Sequence, residues 1–508
     1  MKVEHMLDSM ILRTRLGAST LLLSLGLAAI GCGGGAGAGT AGGKVPGQPV
    51  DAHGQAVSAA ASTYYKQGLA EVERLDRSNG WNEQTCAATS KLFLDAASEQ
   101  GDKFFAPAYF NAAAVFHRCG NRAEARKYYG MVLEKDAKFH QARVPLALFD
   151  FADSNETALD KALAEMNRAV NDSEFQNVEA LVHTARLQMR RNSSTSDQDG
   201  PNDFERAKKN LQRALAVDDG YMPAFNQLAI YYLEAAKKKA GQSGSKVTRG
   251  AARSKVDTQA LDLALLVSSQ AVQKNPGYGP IYNTLGLTYV EMGDLNRAVE
   301  SFNRARKLDP SFFEAHMNAA SVNLQFRGFA QAEEAYRAAL KVKPNDYDAH
   351  LGLALAVRGS IDDSNFDARL KEAESWIEKA KALDPNRPEA YFNHAILTQG
   401  FKAKSGGTGS NAALEAAKGL FQQFVTKAQG KPEFADAIED VKAVPTKSDS
   451  QCIGPKAKGD KACKKGRIKE IDEIIEFNKQ SEADRKKMEE EMKNQAAMEE
   501  AAGGSEAE

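Results

Sequence analysis

Five cysteines and eight histidines are the residues of this 508-residue chain whose chemistry would depend most on spacing. A thiolate acts as nucleophile, metal ligand or half of a disulfide, and an imidazole as base or ligand, only when its partners are suitably placed. The histidines are scattered with no pair at metal-ligand spacing, and no two cysteines stand close together with a histidine nearby. Neither a nucleophile elbow nor a glycine fingerprint after a strand occurs. Gly43-Lys44 ends a glycine-rich stretch, but Ala38 stands where a phosphate loop needs its first glycine, and Val45 where it needs Ser or Thr. The expectation is a non-enzymatic chain: no catalytic residues, no metal site, no cofactor and no small-molecule substrate.

Covalent thiol chemistry remains. Leu21 to Ile30 form an apolar run behind Arg13 and Arg15, ending at Ala29-Ile30-Gly31-Cys32. A basic leader, a short apolar core and small residues before a cleavage point read as a secretory signal, and the core is too short to span a bilayer. Glu4 and Asp8 are unusual in such a leader, so Met10 competes with Met1 as the start. The run resembles a bacterial lipoprotein signal. That resemblance implies removal of residues 1–31, diacylation of Cys32 and, because Gly33 follows it where Asp is the inner-membrane signal, residence in the outer membrane. A signal cut elsewhere, with Cys32 lost or free, is the alternative.

The other four cysteines, Cys86, Cys119, Cys452 and Cys463, are an even number in an exported chain, where disulfides persist. Three pairings are possible. Cys86 and Cys119 lie in adjacent N-terminal helical pairs, while Cys452 and Cys463 bracket a loop of Gly, Pro and Lys, which favours two local bridges.

The elements that carry these residues follow from periodicity. Residues 32–55 are mostly Gly, Ala, Thr and Pro, a flexible tether reaching roughly 25 Å. Further on, Leu285, Gly286, Tyr289, Gly293, Ala298, Phe302, Ala305 and Pro310 recur, one period later, as Ala320, Ala332, Tyr336, Ala339 and Pro344. This spacing resembles the tetratricopeptide repeat, a helix-turn-helix of about 34 residues that buries its apolar face only by stacking. The resemblance implies an all-α fold, a right-handed superhelical solenoid of antiparallel helix pairs, over residues 56–430. Prolines at 276, 310, 344 and 385 punctuate its units. Copies containing Tyr129 and Met166 extend the pattern toward the N-terminus. Ile468, Ile471, Ile475 and Phe477 give an amphipathic stripe, so residues 431–480 read as capping helices with the cysteine loop. Residues 481–508 read as a charged tail, helical or disordered.

Four segments interrupt the period between the first and second helices of their units: 193–202, 237–255, 360–365 and 402–411. They are expected on one edge of the solenoid. The second is basic, through Lys237, Lys238, Lys239, Lys246, Arg249, Arg253 and Lys255, which suits either an acidic contact or a solvated loop. His316, His350 and His394 recur near first-helix positions and read as ring substitutes in repeat packing. A formal net charge of -1 leaves no electrostatic footprint for nucleic acid.

The resemblance also implies a concave binding face lined by the first helix of each unit. It places Asn226, Asn283, Leu287, Met317, Ser321, Leu324, Leu351 and Leu355 toward that groove, the asparagines to bond a peptide backbone and the apolar members to grip side chains. Taken whole, several features are similar to tetratricopeptide lipoproteins of the adventurous gliding motility machinery of soil bacteria. These are the lipoprotein signal, the tether, an atypical first pair with Trp81 and Cys86, the block from Asn111 to Gly120, and the cysteine-bracketed C-terminal segment. This similarity implies an outer-membrane protein facing the periplasm whose partners are other envelope and motility proteins. An assembly factor for pili or outer-membrane proteins, and a cell-wall binding module, remain as other classes.

Overall fold

The computed structural model describes residues 56–78, 80–154, 158–242, 258–404, 409–443 and 465–503. The leader, Cys32, the tether, Cys452 and Cys463 lie outside them. The named elements of the described residues are all helices, and Asp197 and Gly200 form an isolated bridge in one of the connecting loops. Two compact units divide the chain, Thr20–Met292 and a second whose described part is contained in Gly293–Glu508.

In the first unit the helices are α1 (Ala59–Ser78), α2 (Glu83–Ser98), α3 (Ala106–Arg118), α4 (Arg122–Lys135), α5 (His140–Ser154) and α6 (Leu159–Asp172). They continue as α7 (Val178–Arg191), α8 (Asp203–Val217), α9 (Met222–Gln242), α10 (Thr258–Lys274) and α11 (Gly279–Met292). Asparagine sets several starts. The side chains of Asn82, Asn121, Asn177 and Asn202 each accept a hydrogen bond from a backbone N–H of the following turn, at 2.9 to 3.2 Å, satisfying donors a helix leaves unpaired. Between α3 and α4 the chain reverses through Gly120 at φ 77°, a left-handed conformation that costs glycine least.

The second helix of each pair presents small and large residues in alternation to its neighbours. Ala125 and Tyr129 in α4, Ala162, Met166 and Ala169 in α6, and Ala207, Leu211 and Ala214 in α8 are buried. Alanines let backbones approach while the larger side chains fill the space between them, which is how an interior reaches crystal-like density. First helices of successive pairs also touch one another, α5 with α7, α7 with α9 and α9 with α11, and the second helices make no contact of comparable extent. The first helices therefore form the crowded layer.

The second unit repeats this plan with α12 (Leu295–Leu308), α13 (Phe313–Gln325), α14 (Phe329–Val342), α15 (Tyr347–Gly359), α16 (Phe366–Leu383), α17 (Pro388–Gly400) and α18 (Gly409–Ala428). Ala298, Phe302 and Ala305 of α12, and Ala332, Tyr336 and Ala339 of α14, are buried. Again α13 meets α15 and α15 meets α17. A short α19 (Ala435–Lys442) and the long α20 (Arg467–Gly503) follow. Ile471 and Ile475 of α20 join Phe421, Phe424, Phe434 and Val441 in a core that closes the last pair.

Two expectations, at Lys237 and at Phe477, are corrected. The segment expected to leave the helical pattern at Lys237 stays helical to Gln242, with Lys237 paired to Glu234 at 2.6 Å and Lys238 lying 3.8 Å from the centroid of the Phe204 ring; residues 243–257 lie outside the described residues. Phe477 is 72% exposed and takes no part in capping, because the core of α20 is complete at Ile471 and Ile475. The charged tail continues α20 as helix to Gly503. The insertion 193–202 is a built loop: Asp203, fully buried, accepts from Arg191 at 2.7 and 2.8 Å, from Arg206 at 2.7 Å and from the Ser193 N–H at 2.9 Å. Arg206 in turn donates to the Thr195 carbonyl at 2.9 Å.

Candidate functional site

The resemblance read from the sequence put the binding face on the first helices, which form the crowded layer. The eight residues assigned there from sequence divide sharply. Met317, Leu324, Leu351 and Leu355 are buried at 5% exposure or less. As a correction, they pack inside the unit and offer nothing to grip: a first helix that touches helices on several sides spends its apolar positions on those contacts. Ser321 is likewise buried, its hydroxyl 3.3 Å from that of Tyr336. Asn226 accepts from the Thr284 hydroxyl at 2.7 Å, tying α9 to α11. Leu287 packs partly buried against Leu233, Ala236, Ala260 and Leu261. Asn283 is half-buried on α11.

The remaining sequence-derived candidates among the described residues are structural. Cys86 in α2 and Cys119 at the end of α3 are bonded, with Cα atoms 6.1 Å apart. His316 and His350 meet backbone carbonyls, Pro310 O at 2.9 Å and Asp346 O at 2.8 Å. His394 lies among Glu374, Glu378 and Lys381, within 2.6 to 3.1 Å of each, a charged setting rather than a ring substitution.

The layer also holds titratable groups. In the first unit Glu179, His183 and Arg186 recur on one stripe of α7, with His183 Nε2 and Glu179 Oε1 4.0 Å apart. Burial raises the Glu179 carboxyl to about 7 and lowers the His183 imidazole to about 3. Arg186 is half-buried, and no carboxylate among the described residues pairs with it; burial pulls its guanidinium down, opposed by the nearby Tyr278 hydroxyl.

In the second unit Arg358 and Gln399 are the penultimate residues of α15 and α17. Arg358 Nη1 donates to Asn393 Oδ1 at 3.3 Å. Arg467, opening α20, donates to Gln399 Oε1 at 3.3 Å and to Asp440 at 3.1 Å. Arg467 and Gln399 line, with Ile396, Leu414, Ile474 and others, a cavity of about 350 Å³. Arginines elsewhere in this unit are better matched. Arg337 and Arg369 share Glu333 and Glu372, and Arg387 lies over the Tyr347 ring between Asp348 and Glu389. Sequence reasoning passed over Arg358. The signal was available, since it stands one repeat after Leu324.

Helix pairs with this spacing, these buried small residues and this contact order match the tetratricopeptide repeat at residues 279–312 and again at 324–388. The chain carries tetratricopeptide repeats. No curated protein matches it. Among solved structures, a thermophilic tetratricopeptide-repeat protein of Thermus thermophilus is 23% identical, covering 43% of this chain and 98% of its own, with a TM-score of 0.34. A tetratricopeptide repeat protein from Parabacteroides merdae is 14% identical over 59% of this chain and 97% of its own, at 0.35. The pilF protein of Pseudomonas aeruginosa is 16% identical over 51% and 96%, at 0.36. Tetratricopeptide repeats bind protein partners, so this chain is read as an interaction protein.

Proposed function

We propose that this protein is a non-enzymatic scaffold of the bacterial envelope. It is anchored in the outer membrane by a lipidated Cys32, faces the periplasm, and holds protein subunits of a larger complex, the one that drives adventurous gliding. The observation that carries the scaffold reading is the layer of first helices in mutual contact, α5 to α11 in one unit and α13 to α17 in the other, with the half-buried polar groups of Arg186, Arg358 and Gln399 on it. A stacked array offers an extended surface instead of a closed reaction chamber. The anchor is supported by the apolar run that ends at Cys32, and the motility assignment by the combination of leader, tether and cysteine-bracketed segment.

Two experiments test it. Metabolic labelling with a radioactive fatty acid should mark the wild type and leave Cys32→Ala unmarked; equal label in both overturns the anchor. A clean deletion should abolish single-cell movement on a firm surface and deplete other envelope proteins. Normal gliding with unchanged partners removes the motility assignment, and loss of pili or porins transfers the scaffold to their assembly.

A further inference from the structure

The capping helix α20 runs on well past the core it closes. Asn478 Nδ2 donates to Asn411 Oδ1 at 2.8 Å, and beyond this bond the polar contacts of α20 among the described residues stay within the helix: Gln480 with Asp484 at 3.0 Å, Lys486 with Glu482 at 3.0 Å and Arg485 with Glu489 at 3.7 Å. The side chains of residues 483–496 are all exposed. This free stretch is not uniformly polar. Met488 and Met492 are 64% and 67% exposed, and the exposed Phe477 stands eleven residues before Met488, about three turns, and so on the same side of the helix. A lone helix in water is marginal on its own bonds, and most helices are held by packing an apolar face. Within one copy the stripe of Phe477, Met488 and Met492 has no such cover.

The charges beside the stripe select what covers it. Arg485, Lys486 and Lys487 precede Met488, and Glu489, Glu490 and Glu491 follow it. With about 3.6 residues to the turn, Arg485 and Glu489 flank the stripe on one side and Lys487 and Glu491 on the other. Two such helices laid parallel and in register bring opposite flanks together, setting Arg485 against Lys487 and Glu489 against Glu491. Laid antiparallel about a two-fold axis at Met488, each flank meets the same flank of the other helix. Arg485 then faces Glu489 of the second copy and Lys487 faces Glu491 of the second copy, each twice over by symmetry. Met488 meets its counterpart on the axis, and the methylene stem of Arg485 lies over Met492 of the second copy. Asp484 falls near Glu491 of the second copy, a like-charged contact that Lys487 on the same flank offsets. Because α20 ends at Gly503, the overlap runs back to residue 473 and takes in Phe477.

We infer that the occupant of this stripe is a second copy of the chain: the protein self-associates through residues 473–503 as an antiparallel helix pair with its two-fold axis at Met488. The pairing is independent of what the repeats hold and of how the chain is anchored.

Sedimentation velocity of the purified full chain should show a monomer–dimer equilibrium that shifts with concentration. Met488→Glu combined with Met492→Glu should give a monomer whose repeats remain folded by circular dichroism, since both side chains are exposed within one copy. The charge blocks supply a reciprocal test. Glu489→Lys, Glu490→Lys and Glu491→Lys together, or Arg485→Glu, Lys486→Glu and Lys487→Glu together, should weaken self-association roughly tenfold or more. An equimolar mixture of these two variants should recover the wild-type affinity, because opposite blocks face again. Cysteine cross-linking reads the direction: Met488→Cys should add a disulfide-linked dimer absent from the wild type, whereas Phe477→Cys should not, its two copies lying about 33 Å apart along an antiparallel pair. A monomer at every concentration overturns the inference and leaves the stripe to a helix of another protein. An undiminished dimer in either charge-block variant, a mixture that fails to recover, or cross-linking at Phe477→Cys equal to that at Met488→Cys also overturns it.

Discussion

Gly352 of α15 lies against the ring of Tyr336 in α14: a Cβ on Gly352 would stand 2.7 Å from the Tyr336 hydroxyl oxygen and closer still to ring carbons. The ring is 2% exposed and has no room to retreat. Gly352→Ala should therefore destabilise the protein by roughly 1 to 3 kcal/mol, the cost of overpacking. Thermal denaturation measures it, and Tyr336→Leu added to Gly352→Ala should cost less than the two changes summed, because they compete for one space.

Asp203 holds the 193–202 insertion. Burial would raise its carboxyl, but the bonds from Arg191 and Arg206 and from the Ser193 N–H outweigh this and hold it at about 2. Removing the charge with Asp203→Asn leaves two arginines facing an amide and should cost about 3 kcal/mol. The folded-state value is depressed, so the contribution is complete above the ordinary 3.8 and is lost as pH falls through about 2. Denaturant titrations at neutral pH and near pH 3 should show the gap between variant and wild type narrowing in acid.

Glu179 carries the opposite sign. Burial raises its carboxyl from 4.5 to about 7, so the folded state keeps the proton longer than the unfolded chain and stability falls as pH rises from 4.5 to 7. The neighbouring His183 is held down to about 3 against 6.5, so its own penalty appears as pH falls below 6.5. Glu179→Gln should match the wild type below about pH 4 and exceed it by about 3 kcal/mol near pH 8. A constant difference across that range in urea melts would count against the assignment.

The Cys86–Cys119 bond closes a loop between residues 33 apart and ties the atypical first pair to the next. On the chain-entropy account this contributes about 3 to 4 kcal/mol. Replacing both cysteines with serine should lower the urea midpoint accordingly, and reduction of the wild type should reproduce the loss. Mass mapping of a non-reduced digest tests this pair and, independently, a Cys452–Cys463 bridge.

The repeat itself was readable from residue types. Alanines at Ala298, Ala305, Ala332 and Ala339, with Phe302 and Tyr336 between them, recur because two helices approach closely only over short side chains and need a large one to fill the gap. Prolines at 310 and 344 fall between helices because proline cannot continue one. Such local rules act within a turn or two of helix, so a single sequence displays them. Which side chains face outward is a different kind of fact. Leu324 and Arg358 hold the same place in successive repeats, yet Leu324 is buried and Arg358 is half-buried, its guanidinium donating to Asn393 of α17. Periodicity fixes a residue's angle around its own helix, whereas exposure depends on the helices that pack against that angle. For Arg358 these include α17, whose approach only the folded unit decides.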